Sequence, residues 1–538
     1  MSKITNSLGL IIVTVIFFTG CRTVKIKKSE EVASPNFLFI LVDDLGYADL
    51  SCMGSAYYET PNIDKIANSG VKFTNGYAAC QVCSPSRASL LSGKLPARHG
   101  ITDYIGAPTG ENWRKTDRRT KLLPPAYQPH LPHEYIILPE ALKEQGYNTF
   151  FAGKWHLGSE GSYPEDHGFD ENQGGFEQGG PYTGGYFSPF NNPKMTDYPE
   201  EKGMSLSMKL AKETVQFIER KKDEKFFAYL SFYAVHGPIQ TTEEKWNKYR
   251  NKAESQGIAQ QGFEMERRLP IRKQQDNPVY AGLIEQMDEA VGYVLDNLKS
   301  LGLDEKTVII FTSDNGGVAS GDNYSSNMLD LRGGKGYQWE GGVRIPYFIH
   351  VPWIHKKGII NDTPVIGTDF YPTILELANA ELKPEEHEDG VSLTAALRGE
   401  SLSERPLYWH YPHYGNQGGD PSSIIRLGNW KLIHYWEDDS DELYDLSKDL
   451  EEQSNIAGNH PEKTKALREQ LLTWLKETDT HYAAFDPEYN EDRFKEKERW
   501  YRDTLMPRLE QRRKAMLQKD WQPNEHWWGS KIKVEEPE

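Results

Sequence analysis

The chain has 538 residues, a formal net charge of −17, and 13 Trp and 29 Tyr. The length is enough for a large core and predicts about two to four domains. The acidic balance argues against a nucleic-acid partner, because binding to phosphate backbones needs a basic surface. Any anionic substrate must therefore meet a local positive site.

The first 20 residues are typical of a secretory signal peptide. Lys3 is followed by an apolar run over residues 8–18, which is too short for a comfortable membrane span. The sequence FTGC at residues 18–21 resembles a bacterial lipobox, in which Cys21 would be lipidated, although Phe18 replaces the usual leucine. We expect an exported protein, a periplasmic or outer-membrane-anchored lipoprotein held to the membrane only by this anchor. A plain signal peptide is the alternative.

Residues 34–405 predict one large α/β domain. Residues 37–42 form a continuous apolar run, as expected for a strand buried on both faces of a parallel sheet. Further elements alternate along the chain, which indicates a doubly wound, mostly parallel sheet with helices on both faces. The predicted strands are 147–152, 226–233 and 307–312, and the predicted helices are 61–69, 83–93, 138–145, 205–221 and 278–301.

Two long insertions, 102–133 and 158–204, interrupt this alternation, and insertions of such length are usually functional or disordered. After residue 405 the pattern changes to short strands and turns followed by a helix at 461–478. Residues 406–480 therefore predict a smaller C-terminal α+β subdomain, and residues 481–538 a charged, aromatic helical extension. The sequence has no internal repeats.

The stretch CSPSRASLLSG, residues 83–93, predicts a helix with Ser84 as N-cap and Pro85 at the first helical position. Cys83 would then lie where backbone N–H groups and the helix dipole favour negative charge. A small buried residue is the plainer interpretation of this cysteine. Cys52 and Cys80 could form a disulfide in an oxidising compartment or could both be free.

Polar side chains follow four predicted strands directly. Because ligands bind at the carboxyl ends of parallel strands, we expect these side chains to meet along one edge of the sheet. Each alone could be a turn or a helix cap, but repetition at four strand ends favours one site. The residues are Asp43, Asp44, Lys154, His156, His236, Asp314 and Asn315.

Four of these residues, Asp43, Asp44, Asp314 and Asn315, offer only oxygen ligands, which suit Mg²⁺ or, with many ligands, Ca²⁺. Cationic or proton-transferring groups surround them, and together with the metal they would hold a compact anion such as sulfate or phosphate. These groups are Arg87, Lys154, His156, His236 and Lys335.

The same residues identify a family. CSPSRASLLSG resembles the C-x-P-S-R-x-x-x-L-[ST]-G motif of type I sulfatases, which belong to the alkaline-phosphatase-like superfamily. VDDLG, GKWHLG, HGP, SDNGG and GGKGYQWEGGVRIP follow in the family's order, so the resemblance extends from about residue 36 to 445. It is nearest in character to exported bacterial polysaccharide sulfatases.

The resemblance implies hydrolysis of sulfate esters after a maturation enzyme oxidises Cys83 to formylglycine. It also implies that Asp43, Asp44, Asp314 and Asn315 bind one calcium ion together with the modified Cys83. Arg87 would steady the formylglycine, and the sulfate pocket would be lined by Lys154, His156, His236 and Lys335.

A hydrated aldehyde explains why this position is a cysteine and not a serine. It presents two hydroxyls on one carbon, of which one attacks sulfur and the other then loses its proton to expel sulfate. Serine has one hydroxyl and could not eliminate. We assign His156 as the base for that elimination, and His236 with Lys335 as the groups that protonate or stabilise the leaving oxygen.

Export and the high aromatic content favour a sulfated polysaccharide or oligosaccharide as substrate. Candidate substrate contacts lie in the insertions and the C-terminal subdomain, although the histidines could equally pack the subdomain: Asp103, Trp113, Arg114, His410, His413 and Arg426. The basic segment 114–121 hints at an acidic or multiply sulfated glycan, or is a solvated loop.

Two other functions remain open. Phosphonate monoester and phosphodiester hydrolases of the same superfamily share the C-x-P-S-R motif, and comparing aryl sulfate with aryl phosphonate turnover separates them. A non-catalytic glycan-binding lipoprotein would bind glycan without turnover. A phosphatase with a Ser or Thr nucleophile fits poorly, because the nucleophile position is Cys83.

Overall fold

A computed structural model describes residues 34–196, 202–354, 357–523 and 530–532, which belong to one compact unit. The expected signal peptide, with Lys3 and Cys21, lies outside the described residues. No helix within the described ranges is long and apolar enough to cross a membrane.

An eight-stranded, mainly parallel sheet forms the centre, in the order β13-β2-β12-β11-β1-β7-β5-β6. The strands of the described residues are β1 Asn36–Val42, β2 Val71–Phe73, β3 Gly76–Tyr77, β4 Leu122–Leu123, β5 Asn148–Gly153, β6 Glu171–Gln173, β7 Phe226–Phe232, β8 Gln240–Thr242, β9 Phe263–Glu266, β10 Leu269–Arg272, β11 Thr307–Ser313, β12 Tyr347–His350, β13 Ile359–Asn361, β14 Val365–Ile366, β15 Leu407–Tyr411, β16 Ser422–Leu427, β17 Trp430–Tyr435, β18 Ser440–Asp445, β19 Ala484–Phe485 and β20 Ser530–Ile532.

Helices cover both faces of this sheet. The helices of the described residues are α1 Pro61–Ser69, α2 Cys83–Ser92, α3 Pro96–His99, α4 Leu138–Glu144, α5 Leu206–Arg220, α6 Glu243–Gln256, α7 Pro278–Ser300, α8 Glu340–Val343, α9 Phe370–Leu377, α10 Thr394–Leu397, α11 Pro461–Glu477, α12 Glu491–Trp500 and α13 Met506–Met516.

Strand β1 shows why both faces are covered. Its side chains alternate between two core clusters: Ile40 packs with residues of α5 and α7, and Phe39 with residues of α2, α4 and α9. The strand is flanked by β7 and β11, both parallel to it, and all seven of its residues are buried. The predicted doubly wound α/β architecture is confirmed.

The C-terminal part carries the expected α+β elements. Strands β15 to β18 form an antiparallel four-stranded sheet, and the apolar face of α11 packs in the same core cluster. Beyond residue 480 the chain forms α12 and α13, joined by a π-helical turn at Tyr501–Leu505.

One local prediction is wrong. Helix α2 begins at Cys83 itself, with Val82 at the N-cap and no side-chain cap. The Ser84 hydroxyl instead accepts a hydrogen bond from the Ile105 backbone N–H at 3.0 Å, so it holds the first insertion against the helix. Cys52 and Cys80 are both free, which settles the disulfide question left open by the sequence.

Candidate active site

Four oxygen-bearing residues meet where the central strands end. Asp43 and Asp44 follow β1, and Asp314 and Asn315 follow its parallel neighbour β11. Asp44 has a left-handed backbone (φ 63°), its N–H donates to Asp314 Oδ1 at 3.1 Å, and Asn315 Nδ2 donates to Asp44 Oδ1 at 2.9 Å. The predicted convergence at the carboxyl edge of the sheet is thus present in the fold.

The arrangement fits a hard cation. One carboxylate oxygen from each of Asp43, Asp44 and Asp314 lies within 4.8 Å of the others, and all three residues are fully buried. Asp43 Oδ1 and Asn315 Oδ1 accept no hydrogen bond from the described residues. Burial raises the pKa of Asp43 well above its ordinary value, although Lys154 opposes this. A cation bound by oxygen ligands would relieve that cost.

Three cationic side chains pair with the carboxylates. The distances are 2.7 Å from Lys154 Nζ to Asp43 Oδ2, from Lys335 Nζ to Asp44 Oδ1 and from Arg87 Nε to Asp314 Oδ2. Burial raises the pKa of Asp44, but Lys335, His236 and Lys154 together outweigh burial, so the net pKa lies below the ordinary value. The Lys335–Asp44 pair is therefore ionised.

Cys83 is held beside His156. Its Sγ lies 3.5 Å from His156 Nδ1, while His156 Nε2–H donates to the Ile105 carbonyl at 2.9 Å. Burial, with help from Lys154, holds the pKa of His156 well below its ordinary value, so Nδ1 is an unprotonated acceptor facing the sulfur. Burial also raises the pKa of the Cys83 thiol, unlike the lowered pKa of a thiolate nucleophile.

His236 lies on the other side of Asp44. Its Nε2 is 3.7 Å from Asp44 Oδ2, and its Nδ1 is 2.5 Å from the Gly237 carbonyl. Burial lowers the pKa of His236 to about 3. The ring is therefore neutral at neutral pH, with Nδ1–H donating to the backbone.

Four of these residues, Cys83, His156, His236 and Lys335, form the floor of a cavity of about 200 Å³. Its rim comes from both insertions, from the loop after β11 and from the loop after β15. Sequence reasoning missed the rim residues, whose only signal was their position in long insertions and loops. They are Tyr104, Ile105, Gly179, Tyr182, Asp322, Asn416 and Gln417.

None of the six predicted substrate contacts is among the described residues that line this cavity. Trp113 is buried and stacks on Tyr414, and Arg114 pairs with Asp486 at 2.7 Å. Arg426 contacts the Tyr77 hydroxyl. These three side chains hold the insertion and the C-terminal sheet to their neighbours.

The other three candidates are also engaged in packing. The Tyr411 hydroxyl donates to Asp103 at 2.9 Å, and His413 Nε2 lies 2.8 Å from the Thr102 hydroxyl. His410 Nδ1 lies 2.7 Å from the Ser423 hydroxyl. Aromatic and imidazole side chains can pack a subdomain or face a ligand, and local sequence does not distinguish the two.

Known proteins share this fold. The Sulfatase family model matches residues 35–380, and the model for the C-terminal part of N-sulphoglucosamine sulphohydrolase matches residues 334–481. A sulfatase of Formosa agariphila is 32% identical over 83% of this chain and 90% of its own, and human arylsulfatase A is 30% identical over 81% and 87%. The crystal structure of Ps i-CgsB in complex with k-i-k-neocarrahexaose is similar with a TM-score of 0.67 and 26% identity, covering 88% of this chain and 99% of that one.

The family model covers more than half of the chain. The protein therefore belongs to the sulfatase family and is a sulfuric ester hydrolase.

Proposed function

We propose that the protein hydrolyses a sulfate ester of a sulfated carbohydrate, using formylglycine made from Cys83 by a maturation enzyme and one calcium ion. The observation that carries the proposal is the position of Cys83, on a cavity floor beside three buried carboxylates. The similar structure of Ps i-CgsB, solved in complex with k-i-k-neocarrahexaose, supports a carbohydrate substrate.

Asp43, Asp44, Asp314 and Asn315 would hold the calcium ion, which would supply positive charge for the sulfate oxygens. Formylglycine, as its hydrate, would supply a nucleophilic hydroxyl and a second hydroxyl whose deprotonation allows elimination. Lys154 and Arg87 hold the Asp43 and Asp314 carboxylates in place by ion pairs of 2.7 Å.

His156 is the base in this proposal. Its Nδ1 faces residue 83, and the Nε2–H bond to the Ile105 carbonyl keeps Nδ1 free to accept a proton. Lys335 is the protonated group on the cavity floor, so it is the donor that stabilises the leaving oxygen. Neutral His236 carries its one ring proton on Nδ1, which is bonded to the Gly237 carbonyl. Its Nε2 therefore has no proton to donate to the leaving oxygen.

The first experiment is the mass of the tryptic peptide across Cys83, from protein produced with a formylglycine-generating enzyme. We expect an aldehyde in place of the thiol. The same preparation, loaded with calcium, should turn over an aryl sulfate faster than the matched aryl phosphonate. An unmodified thiol, or faster phosphonate turnover, would contradict the proposal. Glycan binding without any turnover would favour the binding-protein alternative.

We also propose export and lipidation at Cys21, on the sequence of residues 1–21 alone. Cys21→Ala should move the protein from the membrane fraction to the soluble periplasmic fraction without changing the specific activity of the purified protein. A wild-type protein already soluble in the periplasm would instead indicate a plain signal peptide.

A further inference from the structure

The cavity rim has an unusual charge for an enzyme that binds an anion. Among the described residues that line the cavity, Lys335 is the only Lys or Arg, and it is already paired with Asp44. The rim itself carries one carboxylate, Asp322, whose side chain is exposed. The remaining polar rim groups are neutral amides and phenols, which form hydrogen bonds without charge.

The rim groups are held in defined positions. Gln417 is buried, and its Nε2 donates to Asp322 Oδ2 at 2.5 Å. Asn416 Nδ2 donates to the Tyr104 hydroxyl at 2.7 Å, which joins the C-terminal subdomain to the first insertion across the cavity mouth. One Asp322 oxygen is therefore engaged by protein, and the other is left for a ligand.

The basic segment 114–121 contributes none of the described residues that line the cavity. Arg114 pairs with Asp486 and Glu488, and Arg119 with Asp117 and Glu496. Arg118 donates to the carbonyls of Gly415 and Asn416, and Lys121 to the Glu437 carbonyl. The sequence-based hint of an acidic or multiply sulfated glycan rested on these charges, none of which belongs to the described residues that line the cavity.

We propose that Asp322 selects a sugar ring that carries a single sulfate, with hydroxyl or amino groups directed at the rim. This inference rests on the proposed hydrolysis of sulfated carbohydrates. An ionised carboxylate accepts hydrogen bonds from hydroxyl or ammonium groups but donates none. A second sulfate on the same ring would be brought toward Asp322 with no free cation among the lining residues, and like-charge juxtaposition discriminates strongly between ligands.

The ionisation of Asp322 sets the assay conditions. The surrounding cavity wall raises the pKa of Asp322 above its ordinary value, while Lys335 and the Gln417 amide oppose this. The ratio of kcat/KM values is therefore measured over a range of pH, because protonation of Asp322 would remove its charge. Asp322 has a left-handed backbone (φ 42°), which Asn also adopts readily, so Asp322→Asn removes the charge without new backbone strain.

The test compares kcat/KM for pairs of sugars that differ only in a second sulfate on the reacting ring. We expect the matured wild type to prefer the monosulfated member by about tenfold or more, which corresponds to one strongly unfavourable charge contact. Asp322→Asn should bring the ratio of the two kcat/KM values closer to one, by raising kcat/KM for the disulfated sugar and lowering it for the monosulfated one. Asp296→Asn, on the exposed side of α7, should leave the ratio unchanged.

A small aryl sulfate, which lacks ring hydroxyls, separates the possible failures. If it is cleaved but the wild type shows no preference, or Asp322→Asn keeps the wild-type ratio, the inference about Asp322 is wrong while sulfate ester hydrolysis stands. If the aryl sulfate is cleaved but no sulfated sugar is, the carbohydrate assignment and this inference both fall. If neither is cleaved by protein with confirmed formylglycine, the proposed function itself is contradicted.

Discussion

At the scale of single residues, Cys83 is poorly suited to act as a thiolate. Burial raises the pKa of its thiol, and its neighbour His156 is neutral and accepts rather than donates. Catalytic cysteines are usually activated by a lowered pKa, often next to a cationic His. The same position is well suited to a modified residue, because the acceptor Nδ1 of His156 already faces it.

Cys83→Ser tests this directly. Because serine has one hydroxyl, it could accept a sulfate group from substrate but could not eliminate it. We expect loss of multiple turnover. The mass of the intact protein should show at most one covalently bound sulfate per protein molecule. The matched control is Cys52→Ser at a half-buried position outside the cavity lining, which should keep activity. Repeated turnover by Cys83→Ser would contradict the formylglycine mechanism.

A second residue-scale prediction concerns His99, behind helix α2. It is buried, its Nδ1 accepts the Ile101 N–H at 3.2 Å, and Nε2 lies 3.0 Å from the Ser89 hydroxyl. Burial lowers the pKa of His99 to about 3, so the folded protein holds this ring neutral while the unfolded chain protonates it below about pH 6.5. The stabilisation is thus present above pH 6.5 and is lost as pH falls toward 3.

We therefore expect His99→Gln to flatten the pH dependence of the free energy of unfolding. In the wild type, the contribution of His99 to the free energy of unfolding should fall by about 1.4 kcal/mol per pH unit between about pH 6 and 4. The variant should not show this part of the decrease. Urea denaturation at several pH values measures both slopes. Identical slopes would show that His99 does not carry this linkage.

At the scale of elements, the C-terminal sheet holds the segment that carries Lys335. Lys431 on β17 lies 3.0 Å from Glu340 Oε1 and 2.8 Å from Glu452 Oε1, with all three side chains buried. Glu340 begins α8, five residues after Lys335, and its N–H donates to Glu452 at 2.6 Å. One ammonium group therefore serves two carboxylates between the subdomain and the catalytic core.

Lys431→Met should be severe because it leaves the buried Glu452 carboxylate without its cation, while Glu340 keeps Arg344 at 2.7 Å. We expect a loss of about 3–5 kcal/mol in the free energy of unfolding, measured by chemical denaturation. Lys448→Met, at an exposed lysine after β18, is the matched control and should cost less than about 1 kcal/mol. Adding Glu452→Gln to Lys431→Met should recover part of the lost free energy of unfolding. If Lys431→Met cost less than Lys448→Met, the proposed stabilising role of the Lys431 bridge would be wrong.

At the scale of the whole molecule, the carboxylate cluster joins loops that are 270 residues apart in the chain. A cation bound there would couple the ends of the two central strands β1 and β11. Since the three carboxylates come together only in the folded state, binding would stabilise the folded protein.

Calcium should therefore raise the midpoint of thermal unfolding. A chelator should return the midpoint to its calcium-free value and remove the activity at the same time. The gain is about 2.7 kcal/mol when free calcium is 100 times its Kd. Asp314→Asn should remove most of the calcium response, whereas Asp296→Asn should keep it. A wild-type midpoint that does not change with calcium would contradict the metal assignment, even if some activity remained.

The sequence by itself determined the sheet and the charged cluster at its carboxyl edge. Continuous apolar runs such as residues 37–42 are constrained to be buried strands, and polar residues directly after such strands must lie at the carboxyl edge. Asp43, Asp314 and Lys154 were predictable for this reason, because strand position alone fixes where they lie.

Only the tertiary structure decided the cavity rim and the use of surface charge. Tyr104, Tyr182, Asp322 and Asn416 come from four loops, and no local pattern predicts which loop residues meet when apolar burial brings those loops together. Arg114 and Trp113 had the residue types of ligand contacts, but their partners, Asp486 and Tyr414, lie some 300 or more residues away. A charged or aromatic side chain can make the same kinds of interaction with the rest of the protein or with a ligand. Only the folded arrangement shows which of the two it contacts.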